Sequence, residues 1–224
     1  MMAYYPVFLE LQDRPCLVVG GGEVAQRKVA GLLAASARVT VIAPELTRAL
    51  QRLLADGDID CVQREYQEGD LEGFEICMVA TDDGAVNAQV FAEGRGRHVW
   101  VNASDDATNC DFILPSVIRR GAITIAVSTG GSSPALARRL REELEAYLTE
   151  EMPALADLLG EVRSDLRSRG IAPDQEVWQE AIDEKLRVLL AQRKYGQAKA
   201  RLLGALGAGE LVEELVGAAG GEGA

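Results

Sequence analysis

The sequence predicts an α/β fold: a Rossmann-type doubly wound parallel sheet, followed by a β-hairpin with a helix and by an α-helical C-terminal domain. Short apolar runs alternate with amphipathic segments as far as residue 102, which is the pattern of a parallel sheet covered by helices. The glycine stretch Gly20-Gly21-Gly22 joins the first apolar run to the first amphipathic segment. Beyond residue 133 helical periodicity dominates.

Five strands and three helices are expected in the first part of the chain. Apolar and β-branched runs predict strands at 16–20, 38–43, 59–66, 76–81 and 98–102. The amphipathic segments between them predict helices at 23–35, 45–55 and 82–93. An extended lead-in or strand is expected over 6–12.

The second part reads as a hairpin followed by helices. Apolar runs at 112–118 and 122–128 flank a turn at 119–121, and Ser133-Pro134 is a strong helix start. Helical breaks are expected near 152–153, 170–173 and 196. Two apolar stripes are predicted, one of Met152, Leu155, Leu158, Leu159, Val162 and Leu166, the other of Val177, Ile182, Leu186, Leu189 and Leu190. We expect a nucleotide domain over 1–112, a hairpin-and-helix module over 113–150 and a helical domain over 151–224 that frays after Gly207.

The glycine turn favours dinucleotide binding over a merely structural turn. Gly20 allows the tight turn, Gly22 lets the backbone approach a pyrophosphate, and the small Ala25 lets the helix pack on the strand. Free N–H groups and the positive end of the helix dipole suit phosphates at this position.

Ligands of open parallel sheets bind beyond the carboxyl ends of the strands, which here end in the segments 20–24, 43–45, 81–83 and 102–106. An acidic residue for the ribose hydroxyls is expected at the end of the second strand. Ala43 occupies that position and Glu45 is the nearest acid, so the choice between NAD and NADP stays open. Arg48 is a candidate for a 2′-phosphate, although a solvated helix arginine is the commoner case.

Asp105 is the best candidate for a catalytic base, because it follows the fifth strand and should face the cofactor crevice. Asp106 and Asp111 compete with it, and a structural turn residue is the alternative. His98 lies toward the amino end of its strand, which favours a structural or exposed imidazole over a catalytic residue or a metal ligand.

Positive charge gathers near a second glycine turn at residues 128–133. Its N–H groups could hold carboxylates, together with the arginines Arg119, Arg120, Arg138, Arg139 and Arg141. A solvated helix face is the alternative. The pair Tyr195 and Lys199 matches the Y-x-x-x-K of short-chain dehydrogenases, but it lies in the helical part, which indicates a chance match.

Composition excludes several classes of function. A net charge of −12 with one histidine argues against nucleic acid and anionic membrane surfaces as partners. A mean hydropathy of +0.01 without a long apolar run argues against a membrane span. Four cysteines without C-x-x-C spacing indicate free thiols, buried at Cys16, Cys61 and Cys77, and no permanent metal site. With no secretory signal at its start, a cytoplasmic protein is expected.

Six segments together resemble the precorrin-2 dehydrogenase/sirohydrochlorin ferrochelatase family, the N-terminal half of siroheme synthase. They are Tyr5-Pro6-Val7-Phe8-Leu9; 16–25 with Arg27-Lys28; Ala80-Thr81-Asp82-Asp83 with Val86-Asn87; Val101-Asn102 with Asp105; Phe112-Ile113-Leu114-Pro115-Ser116; and 126–134 with Ala137-Arg138. The resemblance covers roughly residues 4–145 and beyond 150 is confined to helical character.

The resemblance implies NAD-dependent oxidation of precorrin-2 to sirohydrochlorin, on the route to sirohaem or cobalamin, and many members also insert Fe²⁺ into the product. It implies a homodimer in which the hairpin and helix form the dimerisation module. Since the chain ends at residue 224, we expect no methyltransferase half and no synthesis of precorrin-2.

The resemblance also implies roles for individual residues. Asp105 falls on the general base, which is implicated in chelation as well. Glu23-Val24 and Pro44-Glu45 fall on NAD-contacting pairs of the family. Together with Gly20 and Gly22 of the glycine turn and Thr81 after the fourth strand, they are the expected cofactor contacts. The expected substrate contacts are Asn102 after the fifth strand and Ser128, Thr129 and Arg138 around the second glycine turn. By the resemblance, Thr129 stands where some relatives have a serine in the substrate-side loop.

Two other functions remain open at the level of the sequence. One is an NAD(H)-sensing regulatory module without catalysis, which explains the glycines but not Asp105 beside a basic hairpin. The other is a different small dehydrogenase, which would lack an obvious catalytic histidine or lysine.

Overall fold

A computed structural model describes residues 4–103 and 109–212 of the chain. The chain divides into two compact units. The first consists of Met1–Leu114 with Gly130–Ser132, and the second of Pro115–Thr129 with Ser133–Ala224. Within the described ranges, no helix combines the length and the apolar character needed to cross a membrane.

The first unit contains a five-stranded parallel sheet in the order β3-β2-β1-β4-β5. Its strands are β1 (Pro15–Val19), β2 (Arg38–Ile42), β3 (Asp60–Val62), β4 (Ile76–Val79) and β5 (Trp100–Ala103). Its helices are α1 (Glu23–Leu33), α2 (Arg48–Asp56) and α3 (Gly84–Arg97). The Rossmann-type fold predicted from the sequence is confirmed. The strand order reverses between β1 and β4, where such sheets bind their ligands.

The central strands are buried on both faces, which explains their unbroken apolar sequences. Cys16 and Val18 of β1 belong to one core cluster, which includes residues of α1 and α2. Leu17 and Val19 point the other way, into a cluster with Val90 of α3. Because side chains alternate along a strand, β1 contributes to both layers of the core.

Helix α2 begins at Arg48 rather than near residue 45. Thr47 is the reason, because its hydroxyl accepts a hydrogen bond from the Leu50 N–H at 3.3 Å. An N-cap residue adopts extended backbone and so delays the helix. Strand β3 is also shorter than predicted, with three residues on the edge of the sheet.

The prediction of a strand over 98–102 is wrong at its start. Helix α3 continues to Arg97, and His98 ends it in the left-handed conformation, with φ +60°. The N–H of His98 bonds to the Gly94 carbonyl, so the residue closes a helix and β5 begins only at Trp100. His98 is exposed, in keeping with a structural role.

The four cysteines are not joined in disulfide bonds, and they differ in burial. Cys16 and Cys77 are fully buried, as predicted. The prediction for Cys61 is wrong, since it is partly exposed on the edge strand β3. Burial raises the pKa of the Cys16 thiol to about 11, with a smaller contribution from Glu75, so this thiol is protonated at neutral pH.

In the described part of the second unit, an antiparallel hairpin is followed by five helices. The hairpin pairs β6 (Ser116–Arg120) with β7 (Ile123–Val127). The helices are α4 (Pro134–Glu145), α5 (Met152–Ser168), α6 (Gln175–Ala181), α7 (Glu184–Ala191) and α8 (Tyr195–Ala205). The turn lies at Gly121-Ala122 rather than at 119–121, because Gly121 supplies the φ of +57° that a tight hairpin turn needs. Ser133 caps α4 as predicted, accepting from the Leu136 N–H at 3.2 Å.

The helical breaks differ from the predicted ones in three places. Pro153 lies in the first turn of α5, where proline is tolerated, so the break precedes Met152. Gly196 lies inside α8, and the break before it contains Arg193 with φ +57°. Asp183 divides the second apolar stripe, because its carboxylate caps α7 by accepting from the Leu186 N–H at 2.8 Å.

The chain after Gly207 is packed further than expected. Ala208 and Leu211 are buried in the helical core and show that fraying does not begin at Gly207. The first apolar stripe is confirmed, since Leu155, Leu158, Val162 and Leu166 of α5 are buried in the same core. Residues 213–224 lie outside the described residues.

The Y-x-x-x-K pair links α8 to α5. The Tyr195 hydroxyl donates to Glu161 at 2.5 Å, and Lys199 Nζ contacts Glu161 at 2.5 Å and Asp165 at 3.0 Å. Burial and the bond to Glu161 raise the pKa of Tyr195 to about 12. A catalytic tyrosine needs the opposite shift, so the geometry gives this pair a structural role.

Glu161 should make the helical unit sensitive to acid. Hydrogen bonds from Lys199 and Tyr195 hold the pKa of Glu161 below its usual value. A carboxylate with a lowered folded-state pKa adds stability above its unfolded-state pKa of about 4.3, and this stability is lost as the pH falls through the folded-state value. We therefore expect the melting temperature of the wild type to fall more steeply than that of Glu161→Gln as the pH is lowered below about 5.

Thermal melts followed by circular dichroism at several pH values test this expectation. The exposed Glu180 on α6 provides a control, and Glu180→Gln should follow the wild-type curve. Equal acid dependence of the wild type and Glu161→Gln would contradict the role given to these bonds.

Candidate functional site

The turn between β1 and α1 is held against the end of β4. Gly20 has φ +121°, and its N–H donates to the Ile42 carbonyl at 2.8 Å. A Cβ at Gly20 would lie 2.4 Å from the Ala80 carbonyl oxygen. Conformation and space both require glycine here, which agrees with the tight turn predicted for this position.

The same turn contacts the loop after β2 through Gly21. A Cβ at this residue would lie 1.8 Å from the Glu45 carbonyl oxygen, and the Gly21 carbonyl accepts from the Thr47 N–H at 2.9 Å. Sequence reasoning assigned no role to Gly21. The available signal was the third glycine in an unbroken run, which a G-x-G pattern does not require.

Gly22 is the open position of the turn. It is the N-cap of α1, and a Cβ added there would meet no described atom within 4 Å. Thr47 caps α2 and Asp83 caps α3, whereas among the described residues no side chain caps α1. The first N–H groups of α1 therefore border open space, at the position where dinucleotide sites bind a pyrophosphate.

Ala25 behaves as the sequence predicts. It is fully buried in the core cluster that contains Val18 of β1, so its small side chain brings α1 close to the sheet. The glycine turn, the open start of α1 and the close packing of α1 on the sheet together form the strand-turn-helix arrangement of dinucleotide sites.

The remaining predicted cofactor contacts surround the turn. Glu23, Pro44 and Glu45 are exposed, and Val24 and Thr81 are partly buried. The Glu45 carbonyl lies beside Gly21, which places the loop after β2 at the edge of the open space. Thr81 follows β4, and its hydroxyl accepts from the Asp83 N–H at 3.1 Å.

Asn102 lies on β5 and is almost completely buried. Its Oδ1 accepts a hydrogen bond from Lys28 Nζ at 2.7 Å, and its Nδ2 donates to the Phe112 carbonyl at 2.8 Å. The amide therefore joins α1, β5 and the segment after it, and its contact with a substrate stays a prediction. Sequence reasoning gave Lys28 no role, although a lysine on the apolar face of α1 was a visible signal.

Asp105 and Asp106 lie outside the described residues. The chain on either side of them is held together at the end of β5, where Asn102 pairs with Cys110 in an antiparallel bridge. Asp111 strengthens this junction, because its carboxylate accepts from the Val101 N–H at 2.9 Å and its own N–H donates to the Val101 carbonyl at 2.8 Å. Asp111 is thus occupied by structural bonds, which weakens it as a competitor for the role of base.

The substrate residues predicted in the second unit are close to the start of α4. The Thr129 hydroxyl accepts from the Ser133 N–H and donates to the Ser133 carbonyl, both at 3.0 Å. Ser128 is exposed, and so is Arg138.

The positive charge expected near the second glycine turn is partly neutralised by neighbouring glutamates. Arg139 pairs with Glu143 and Arg141 with Glu145, each at 2.7 Å, so glutamates one turn away offset these arginines. Arg120 donates to the Leu148 carbonyl, which is a structural contact. Arg138 is more weakly paired, with 3.9 Å to Glu142 and a side chain that is 78% exposed. Arg138 is therefore better placed than Arg139 and Arg141 to bind an anion.

The described residues contain no group of three or more His, Cys, Asp or Glu side chains that could hold a metal ion.

Comparisons with known proteins match NAD(P)-binding proteins and proteins of sirohaem biosynthesis. A family model described as NAD(P)-binding matches residues 7–116, and one described as sirohaem biosynthesis protein central matches residues 120–147. Siroheme synthase of Photorhabdus laumondii is 38% identical over 96% of this chain and 46% of its own length. Siroheme synthase of Photobacterium profundum is 40% identical over 90% of this chain and 44% of its own length. The chain thus spans a little under half the length of these relatives.

A solved structure, "SirC, precorrin-2 dehydrogenase", resembles this chain over almost the entire length of that protein. The match covers 98% of that protein and 87% of this chain, with a TM-score of 0.73 and 30% sequence identity.

The open position at Gly22 leads to a testable prediction. A methyl group at this residue would enter the space next to the first N–H groups of α1 without touching the fold. We expect Gly22→Ala to melt near the wild-type temperature while its Kd for NAD⁺ rises at least about tenfold, measured by titration calorimetry.

Gly31 provides the matched control, because it lies on α1 and a Cβ there also meets no described atom within 4 Å. Gly31→Ala should leave the Kd unchanged and stabilise the helix by about 1 kcal/mol. NAD⁺ binding by Gly22→Ala with wild-type affinity would contradict the assignment of this space to the pyrophosphate.

Proposed function

Because the chain belongs to the precorrin-2 dehydrogenase family, we propose that it oxidises precorrin-2 to sirohydrochlorin with NAD⁺ as the oxidant. One observation carries the proposal: the uncapped, sterically open start of α1 at the point where the strand order reverses. It occurs in a chain that matches a precorrin-2 dehydrogenase over 98% of that protein.

The glycine turn and the loop after β2 would hold the cofactor. N–H groups of Glu23 and Val24 at the start of α1 suit the pyrophosphate, and Pro44 and Glu45 lie where the adenosine ribose is expected. When bound, NAD⁺ supplies the acceptor for a hydride. The fit of the cofactor is supported by the absence of a Cβ at Gly22, since a side chain there would fill the space.

Asp105 is the base in this proposal. It follows β5 by two residues, and β5 is a neighbour of β4 at the carboxyl edge of the sheet. An ordinary aspartate has a pKa of about 3.9 and is ionised at neutral pH. Its carboxylate would take a proton from precorrin-2 while a hydride leaves the same substrate, which completes the loss of two hydrogens.

The buried bonds of Lys28 and Asn102 support this role by fixing the end of β5 from which Asp105 continues. The substrate contacts that we propose are Asn102, Ser128, Thr129 and Arg138. Precorrin-2 is rich in carboxylates and the chain carries a net charge of −12, so local positive charge such as that of Arg138 is needed for binding.

A homodimer is the proposed assembly. Helix α4 exposes an apolar row consisting of Leu136 (50%), Leu140 (37%), Leu144 (36%) and, just beyond its end, Tyr147 (76%). Their spacing places them on one side of the helix, and such a continuous row is typical of a surface that a partner covers. The reduced thiols of Cys16, Cys61 and Cys77 support a reducing compartment, the cytoplasm.

The catalytic role of Asp105 can be tested directly. We expect Asp105→Ala to reduce the rate of sirohydrochlorin formation by about 10²- to 10⁴-fold, the usual contribution of a general base. The visible spectrum of precorrin-2 incubated with NAD⁺ measures turnover, and calorimetry should show an unchanged Kd for NAD⁺.

Asp106→Ala is the control for charge and position, and it should retain most of the activity. Near-wild-type oxidation by Asp105→Ala would exclude it as the base. If the wild type binds NAD⁺ tightly but leaves precorrin-2 unchanged, the sensing module becomes the better description.

The dimer can be tested at the same row. Leu140→Glu combined with Leu144→Glu should shift the sedimentation coefficient to that of a monomer, because charges replace apolar contacts at the interface. Val188 on α7 is 45% exposed, and Val188→Glu serves as a matched control that should stay dimeric. A monomeric wild-type protein would refute the proposed assembly.

A further inference from the structure

Asn87 on α3 is a buried residue whose side-chain oxygen lacks a hydrogen bond in the described part of the chain. Among the described residues, three polar or charged residues are buried as a whole: Lys28, Asn87 and Asn102. Lys28 and Asn102 bond to each other, whereas Asn87 donates only a long 3.4 Å bond from Nδ2 to the Thr81 carbonyl. Its Oδ1 has no hydrogen-bond partner in the part of the chain that the structure describes.

A buried acceptor without a donor is unfavourable, and an apolar side chain of similar size would avoid that cost. Leucine has nearly the same volume and would suit the surroundings, since Val90, one turn further along α3, is fully buried. The amide at position 87 is therefore better explained by a donor that comes from outside the chain.

The position of Asn87 indicates where that donor comes from. Thr81, to which the amide is bonded, follows β4, and the neighbouring Ala80 carbonyl faces Gly20 of the glycine turn. Asn87 thus lies on the β4 side of the point where the strand order reverses. Adenosine is expected at the end of β2, so the β4 side belongs to the nicotinamide half of the dinucleotide.

We propose that Asn87 Oδ1 accepts a hydrogen bond from the nicotinamide nucleoside of the bound cofactor, through a ribose hydroxyl or the carboxamide N–H. This inference rests on the proposed function. The 3.4 Å bond to Thr81 is near the limit of hydrogen-bond length, so the amide can turn toward a donor beside Thr81 at little cost.

Calorimetry with three probes tests the proposal. Asn87→Leu should raise the Kd for NAD⁺ about tenfold, the loss of one hydrogen bond, and leave the Kd for ADP unchanged. ADP-ribose distinguishes the two donors. Asn87→Leu should bind ADP-ribose about tenfold more weakly if a ribose hydroxyl is the donor, and with unchanged Kd if the carboxamide is the donor. The ligand-free variant should melt at or above the wild-type temperature, because the unsatisfied oxygen is gone.

Gln89→Leu is the matched control, since Gln89 is an exposed amide two residues further along α3 and its replacement should change no Kd. If Asn87→Leu does not fold, as judged by circular dichroism, Asn87→Ala replaces it in the same titrations.

Several results would overturn the inference. The first is that Asn87→Leu binds NAD⁺ with wild-type affinity. The second is that its affinity for ADP falls as much as its affinity for NAD⁺. The third is a lower melting temperature with an unchanged Kd, which would show that the donor is internal. If the wild type binds no NAD⁺, the proposed function falls and this inference with it. A variant that binds like a functional wild type removes the inference alone.

Discussion

The close approach of the glycine turn to two neighbouring loops is the constraint on which the first unit depends. Gly20 rests on the Ala80 carbonyl after β4, and Gly21 rests on the Glu45 carbonyl after β2. Neither contact leaves room for a Cβ, so three strand ends meet around one turn. This crowding leaves the start of α1 as the open side, because Gly22 alone of the three glycines has free space around it.

The sheet could be predicted from the sequence because burial on both faces leaves a continuous apolar signal in β1 and β4. Element ends were less predictable, because single side-chain bonds determine them. Thr47 delays α2, and Asp183 divides a stripe that reads as one helix. His98 shows the same limit, since a helix C-cap and a strand start look alike in sequence.

The site was predictable where a residue acts through its backbone and less so where it acts through a side chain. The glycine spacing, between an apolar run and an amphipathic segment, identified the glycine turn. It did not reveal that the amide of Asn102 is used inside the protein, nor that Arg139 and Arg141 are offset by glutamates. Such pairings depend on which side chains the fold brings together, and only the folded chain shows them.

The junction after β5 has a consequence for how copies of this chain can associate. Asp111 forms hydrogen bonds with both the N–H and the carbonyl of Val101. These are the groups through which an added strand would pair at this edge. The opposite edge is β3, whose three residues offer little length for a ladder. Both borders of the five-stranded sheet are thus poor templates for strand addition, which protects this sheet from edge-to-edge association between copies of the chain.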